Sequence, residues 1–145
     1  MPKPFQIRAV TADDLPLLEA VDPRMTDDPK RNRNVAGLVN LGFSWLAARD
    51  GEPVGFAIVS DPFYAFPFID LLVVAEAHRR AGVGFALMDH CEAAHDADRI
   101  FTSTNESNDP MRRLLARSDW LVTGIVENLD PGDPELIFVK FRARA

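Results

Sequence analysis

Apolar and polar residues alternate from Phe5 to Val10, the period-two pattern of a strand with one covered face. Thr11-Ala12-Asp13-Asp14 then supplies a helix N-cap, with acidic residues where the helix dipole is positive. Leu15, Leu18 and Asp22 mark one side of the helix that follows, and Pro23 ends it. A connection carrying Asp27, Asp28 and Pro29 leads into a second helix that reaches about Leu41. Residues 43–49 and 54–59 read as strands around the turn Asp50-Gly51-Glu52-Pro53, since Asp-Gly is a strong hairpin signal. An aromatic loop over residues 61–67, holding Phe63, Tyr64 and Phe66, precedes residues 68–74. That nearly unbroken apolar run suits a strand covered on both faces.

Beyond Gly82, the residues Val83, Leu87, Cys91 and Ala94 recur at helical spacing and form one apolar stripe. Residues 99–103 make a short strand, and Asp109-Pro110 opens a further helix with proline at its first position. Met111, Leu114 and Leu115 form the inner stripe of that helix. Residues 121–129 and 135–141 are two strands joined by Asp130-Pro131-Gly132-Asp133-Pro134. The order is strand, two helices, three strands, helix, strand, helix, two strands. A helical crossover between the fourth and fifth strands makes that pair parallel within an otherwise antiparallel sheet. The fold class is therefore α/β (α+β), with a mixed sheet of about six to seven strands and about four helices. If the parallel pair splays, its ends open a slot for a ligand.

Composition narrows the partners. A chain of 145 residues suits one domain over residues 1–145, and it has no repeat or low-complexity tract that would divide it. A formal net charge of -6 argues against nucleic acid as a partner. No apolar run approaches the roughly 18 residues needed to span a membrane. The opening Met1-Pro2-Lys3-Pro4-Phe5-Gln6 has no apolar run behind its charge, so it does not read as a signal peptide. Cys91 is the sole cysteine; it rules out an internal disulfide, suits a cytoplasmic setting and reads as a buried, inert thiol. His78, His90 and His95 lack metal-site spacing, with His90 and His95 expected on different sides of a helix, so no metal is expected. Lys30, Arg31 and Arg33 read as a solvated helix face.

The chemistry gathers where the buried strand ends. Leu72, Val73 and Val74 close the strand, Arg79 and Arg80 follow, and Ala81, Gly82, Val83 and Gly84 open a helix. A helix N-terminus presents unpaired N–H groups and partial positive charge. Glycines let a phosphate approach the backbone, and arginines add directional donors. The arrangement suits a pyrophosphate, unless the glycines only start the helix. No Gly-Lys-Ser/Thr follows, and the third glycine of the dinucleotide fingerprint is missing.

This segment resembles the acetyl-CoA signature of the GNAT superfamily of N-acetyltransferases, Arg/Gln-x-x-Gly-x-Gly/Ala, here Arg79-Arg80-Ala81-Gly82-Val83-Gly84. The order of elements agrees over nearly the whole chain. The resemblance implies that backbone N–H groups from Arg80 to Gly84 hold the pyrophosphate of acetyl-CoA. It implies that the main chain of Leu72, Val73 and Val74 lies along the pantetheine arm, with a backbone donor near the thioester oxygen. Asn108 matches a family asparagine that contacts the cofactor, or else caps its helix. Arg112, Arg113 and Arg117 form a solvated face, or one of them meets the ribose phosphate. Where relatives carry a tyrosine that protonates the departing thiolate, this chain has Leu115, counted back from Asp119-Trp120 at the usual Gly-Phe position.

For the acceptor, Asp70 is the one ionisable residue inside the apolar run. It is a candidate base whose pKa burial would raise, or a solvent-facing carboxylate. Tyr64 is a candidate acid or pocket wall, or plain packing. Glu76 reads as solvated. Asp27 and Asp28 lie where the family covers its acceptor site and would attract a cationic amine, or else cap a helix. Phe63 and Phe66, with Phe68, would give the pocket an apolar wall. The implied activity is acetyl transfer from acetyl-CoA to a primary amine of a small molecule or protein, by direct attack in a ternary complex. Leu115 keeps open an acyl-CoA-binding module with little catalysis. A homodimer through the last two strands is the remaining expectation.

Overall fold

The computed structural model describes residues 5–142. Residues 1–4, most of the opening segment that does not read as a signal peptide, lie outside them. The elements run β1 (Gln6–Ala9), a 3-10 turn (Ala12–Asp14), α1 (Leu15–Val21), α2 (Arg24–Asp27), α3 (Pro29–Leu41), β2 (Phe43–Arg49), β3 (Glu52–Phe63) and β4 (Phe66–Val74). A second 3-10 turn (Glu76–His78) leads to α4 (Val83–Ala93), β5 (Arg99–Asn105), α5 (Asp109–Arg117), β6 (Leu121–Val126) and β7 (Glu135–Phe141). The strands form one seven-stranded sheet in the order β1-β2-β3-β4-β5-β7-β6. Every neighbouring pair is antiparallel except β4 and β5.

Each face of the sheet is covered by helices. Leu18, Val21, Met25 and Val35 from α1–α3 pack with Leu46, Phe56 and Ile58, and Leu71 and Val73 join them. Val83, Leu87, Met88 and Cys91 of α4 and Leu115 of α5 pack with Ala57, Val59, Ile69 and Phe138, and Leu72 and Val74 join that cluster. Central strands are thus apolar on both sides, which is why residues 68–74 read as a continuous run.

Four details depart from the pattern expected. The segment 61–67 is no loop: β3 continues to Phe63, which pairs with Phe66, and Tyr64 and Ala65 make a two-residue turn with φ of 51° and 67°. Left-handed conformations suit hairpin turns but are usually signalled by Gly or Asn, so Tyr-Ala hid the hairpin. The connection before α3 contains the one-turn α2. β6 stops at Val126, three residues short, and Pro110 is the second helical residue of α5 because Asn108 is the N-cap.

Register reveals the feature that shapes the site. Ile58 pairs with Leu71 but Val59 pairs with Ile69, so Asp70 is an extra residue in β4, a β-bulge. The bulge breaks the alternation: Leu72 and Val74 face the α4 side, Leu71 and Val73 the other, and Ile69 returns to the α4 side. The parallel ladder between β4 and β5 has only two pairs, Phe68 with Phe101 and Ile69 with Thr102. Thr102 Oγ1 donates to the Ile69 carbonyl at 3.0 Å, tying the strands where the ladder stops. From the bulge onward β4 and β5 part, and the expected splayed pair is present.

Candidate active site

The loop between β4 and α4 sits at the open end of this fork. The Ala75 N–H donates to the Val54 carbonyl at 2.9 Å, the last tie between β4 and β3. Arg80 and Gly82 then take left-handed conformations, with φ of 66° and 86°, and turn the chain into α4. A non-glycine residue pays about 1–2 kcal/mol for that conformation, so the loop holds Arg80 in a costly shape.

Capping separates α4 from its neighbours. Asp28 caps α3, accepting from Lys30 N at 3.0 Å and Arg31 N at 3.3 Å, and Asn108 caps α5, accepting from Met111 N at 3.3 Å. The N-cap of α4 is Gly82, and no side chain accepts from the first turn. Those N–H groups remain available to an anion. Arg79 and Arg80 are exposed beside them and, among the described residues, enter no ion pair.

The two glycines serve different ends. A β-carbon at Gly82 would meet only the Phe5 ring, at 4.0 Å, so this residue is glycine for its φ and for the open space over the loop. A β-carbon at Gly84 would come within 3.0 Å of Leu114 Cδ2 and near Val74 and Leu72. Gly84 therefore lets α5 and β4 close against the first turn of α4. An open, glycine-led helix start beside two unpaired guanidiniums fits a diphosphate.

Asp70 lies at the bulge, half buried. Burial pushes its carboxyl above the ordinary range, while the Ser60 hydroxyl and N–H, hydrogen-bonded to it, pull the other way. Its Oδ2 is buried with no hydrogen-bond partner among the described residues. A carboxylate with a raised pKa and a vacant acceptor oxygen can take a proton. Ser60, which pairs with Phe68 across the ladder, had no local signal in the sequence.

The remaining candidates scatter. Tyr64 is 83% exposed on the β3–β4 turn, six residues and roughly 20 Å along the strand from Asp70. Phe63 packs against Phe68 and Phe101, each at 4.9 Å, and Phe66 against Phe101 at 5.8 Å, all at the paired end of β4 and β5. Asp27 ends α2, and Asp28 is committed to its cap. Leu115 is fully buried in the core; Asp119, with φ of 65°, takes the glycine position after α5, and Trp120 is buried at the phenylalanine position. His90 and His95 do not diverge: both reach β2, His90 edge-on to Trp45 at 4.4 Å and His95 to Phe43 at 5.7 Å. Among the described residues no three His, Cys, Asp or Glu side chains gather as a metal set, and no helix is long and apolar enough to cross a membrane.

A cleft of about 610 Å³ opens between the end of α1 with α2 and the strand-to-helix loop. Val73, Val74, Glu76 and Arg79 line one wall, and Asp22 and Arg24 the other. Asp22 is 2% exposed and binds two arginines, Arg24 Nε at 3.1 Å and Arg31 Nε at 2.6 Å. Arg31 is thus turned inward, not part of a solvated face. Its pairing spans nine residues, a separation that no helical spacing reveals.

A sheet forked at a bulge, with an uncapped helix start facing the fork, is a site shaped for an extended ligand that ends in an anion. Residues 9–120 match the model of the Acetyltransferase (GNAT) family, and the chain belongs to that family. A GNAT-family acetyltransferase of Bacillus cereus ATCC 10987 is similar at 28% identity with a TM-score of 0.88, over 98% of this chain and 100% of that one. A GNAT-family acetyltransferase of Elizabethkingia anophelis, with acetyl-CoA bound, shares the fold at 16% identity and TM-score 0.78, over 95% and 98% of the two chains. The ribosomal-protein-S18-alanine N-acetyltransferase of Escherichia coli also shares it, at 16% identity and TM-score 0.76, over 98% and 96%. No curated protein sequence matches significantly.

Proposed function

We propose that this chain, acting as a single domain, transfers the acetyl group of acetyl-CoA to a primary amine that attacks directly within a ternary complex. The observation that carries the reading is the uncapped start of α4, turned by Arg80 and Gly82 toward the gap between β4 and β5. When bound, acetyl-CoA supplies the acetyl group as an activated thioester. The N–H groups from Arg80 to Gly84 bind its diphosphate, with Arg79 and Arg80 adding charge. The freed edge of β4 at Leu72, Val73 and Val74 orients the pantetheine arm. Asp70 accepts the proton that the acceptor ammonium must lose, directly or through a water. Asn108 acts as the cap of α5, and Tyr64, Phe63 and Phe66 stand too far along β4 to enter this account. A thiol of ordinary acidity leaves as the thiolate, so Leu115 in place of a tyrosine slows turnover without preventing it.

Leu115 also supports a second reading, a module that binds acyl-CoA without efficient chemistry. Amine-dependent release of free CoA, followed with a thiol-reactive dye, separates the two: the transferase reading requires release across some members of an amine panel, and the module reading requires none. A single, deeply buried Cys91, its thiol pushed up to about 12 chiefly by burial, suits the reducing cytoplasm. β6 is an edge strand with Leu121, Val122, Ile125 and Val126 exposed, an unusual surface for a monomer. We place a homodimer contact there.

A further inference from the structure

We infer that the cleft beside α2 is an anion subsite, and that the acceptor amine carries its own carboxylate or phosphate, held by Arg24 with Arg31 behind it. This rests on the transferase reading and names the acceptor's chemical class.

Asp22 is 2% exposed, and each of its oxygens is taken by one arginine Nε, Oδ1 by Arg24 and Oδ2 by Arg31. Guanidinium and carboxylate commonly pair fork to fork, using two parallel N–H donors. Here one carboxylate is shared end-on between two guanidiniums. Among the described residues, the terminal Nη groups of both arginines have no hydrogen-bond partner. The triad therefore holds one uncompensated positive charge and a set of free planar donors, in a pocket shielded from water on the Asp22 side. The Arg24 and Arg31 side chains are 68% and 22% exposed, so their free donors meet solvent and can exchange water for the paired oxygens of an anion.

Position supports the assignment. Arg24 lines the cleft whose opposite wall is Val73 and Val74 of β4. Val73 is three residues, roughly 10 Å, from Asp70 along the same strand. An acceptor anchored by its anion at Arg24 can reach the bulge with an amine several bonds away. Glu52 and Glu76 also line the cleft and suit the ammonium end of a ligand whose anion sits at Arg24.

The test uses matched amines with acetyl-CoA and the full chain: 6-aminohexanoate against hexylamine, and 3-aminopropyl phosphate against 3-aminopropanol. Thiol release gives kcat/KM, and NMR of the arginine Nε–H groups in the presence of CoA reports binding without turnover. The anionic member of at least one pair should be favoured about tenfold or more, the scale of one charge-assisted bond. Whichever pair responds tells carboxylate from phosphate. Arg24→Gln should abolish that preference; Arg24 is 68% exposed and Arg31 still pairs with Asp22, so a thermal melt of the variant should show the fold retained. Arg24→Lys should restore part of it. Equal use of neutral and anionic members, or Arg24 and Arg31 Nε resonances that ignore the anionic ligands, overturns the inference. Acetyl-CoA binding with no amine-dependent thiol release, while those resonances still respond, overturns the transferase reading alone.

Discussion

Gly55 of β3 and Val83 of α4 touch so closely that a β-carbon on Gly55 would stand 2.7 Å from Val83 Cγ1. The same carbon would lie 3.0 Å from the Val73 carbonyl oxygen and 3.1 Å from Leu87 Cδ1. This contact sets the height of the first turn of α4 above the sheet, and so the place where its N–H groups meet the fork. Gly55→Ala should destabilise the protein by about 1–3 kcal/mol through overpacking. It should also weaken acetyl-CoA binding by tilting α4 away. Urea denaturation and calorimetry on the one variant check both effects, and an unchanged midpoint would refute the first.

Asp70→Asn should separate chemistry from binding. Loss of a positioned base costs on the order of 10²-fold or more in kcat, with acetyl-CoA affinity retained. The sign of the pH dependence follows from burial. The folded-state pKa is raised, so activity requiring the carboxylate falls, as pH drops, at a value above the usual ~3.9. The amide variant should flatten that limb. By linkage, a raised folded pKa contributes stability that is present below the unfolded value and lost as pH rises through the folded one. Asp70→Asn should therefore be the more stable protein at neutral pH, and the difference should close in acid. A pH–rate profile with thermal melts at several pH values tests both halves.

Restoring the family's tyrosine should fail. Leu115 is 0% exposed among Val83, Leu87 and Trp120, so the larger ring and its hydroxyl would enter a filled core. Leu115→Tyr should cost about 1–3 kcal/mol and bring no increase in kcat. A variant that turns over faster than wild type would show that the position borders the reacting atoms.

The edge strand makes the assembly testable. Val122 is 61% exposed on β6, and a lysine there blocks edge-to-edge pairing. Sedimentation should find the wild type dimeric and Val122→Lys monomeric, with acetyl-CoA binding intact. A monomeric wild type would remove β6 from the account.

The parts of this architecture that local pattern encodes were legible in advance. β2, α3 and β7 fall where the periodicity places them, because each is bounded by Gly, Pro or Asp and carries a regular apolar face. Gly82 was legible too, since a motif at a strand-to-helix junction has few structural readings. The bulge at Asp70 was not: when both faces of a strand are buried, an inserted residue leaves the apolar run unbroken and only cross-strand register betrays it. The Asp22–Arg31 pair was hidden for a similar reason, because it joins two helices and no spacing within either one. Gly84 was legible as a glycine but not in its cause, which is the approach of Leu114 from α5. Motif residues, then, were visible from the sequence, while their supporting contacts required the fold.

In the proposed reading the main chain leading into α4 cradles the diphosphate of acetyl-CoA, and Gly82 is its most sensitive point. Titration calorimetry of acetyl-CoA into wild type and Gly82→Asp addresses it directly. A carboxylate there, in a left-handed position at the mouth of the cradle, should repel the diphosphate and cost at least about tenfold in affinity, with the melting temperature lowered by the few degrees that about 1–2 kcal/mol of backbone strain implies. An absence of binding heat with the wild type at millimolar acetyl-CoA, or equal affinity in the two proteins, would contradict the account.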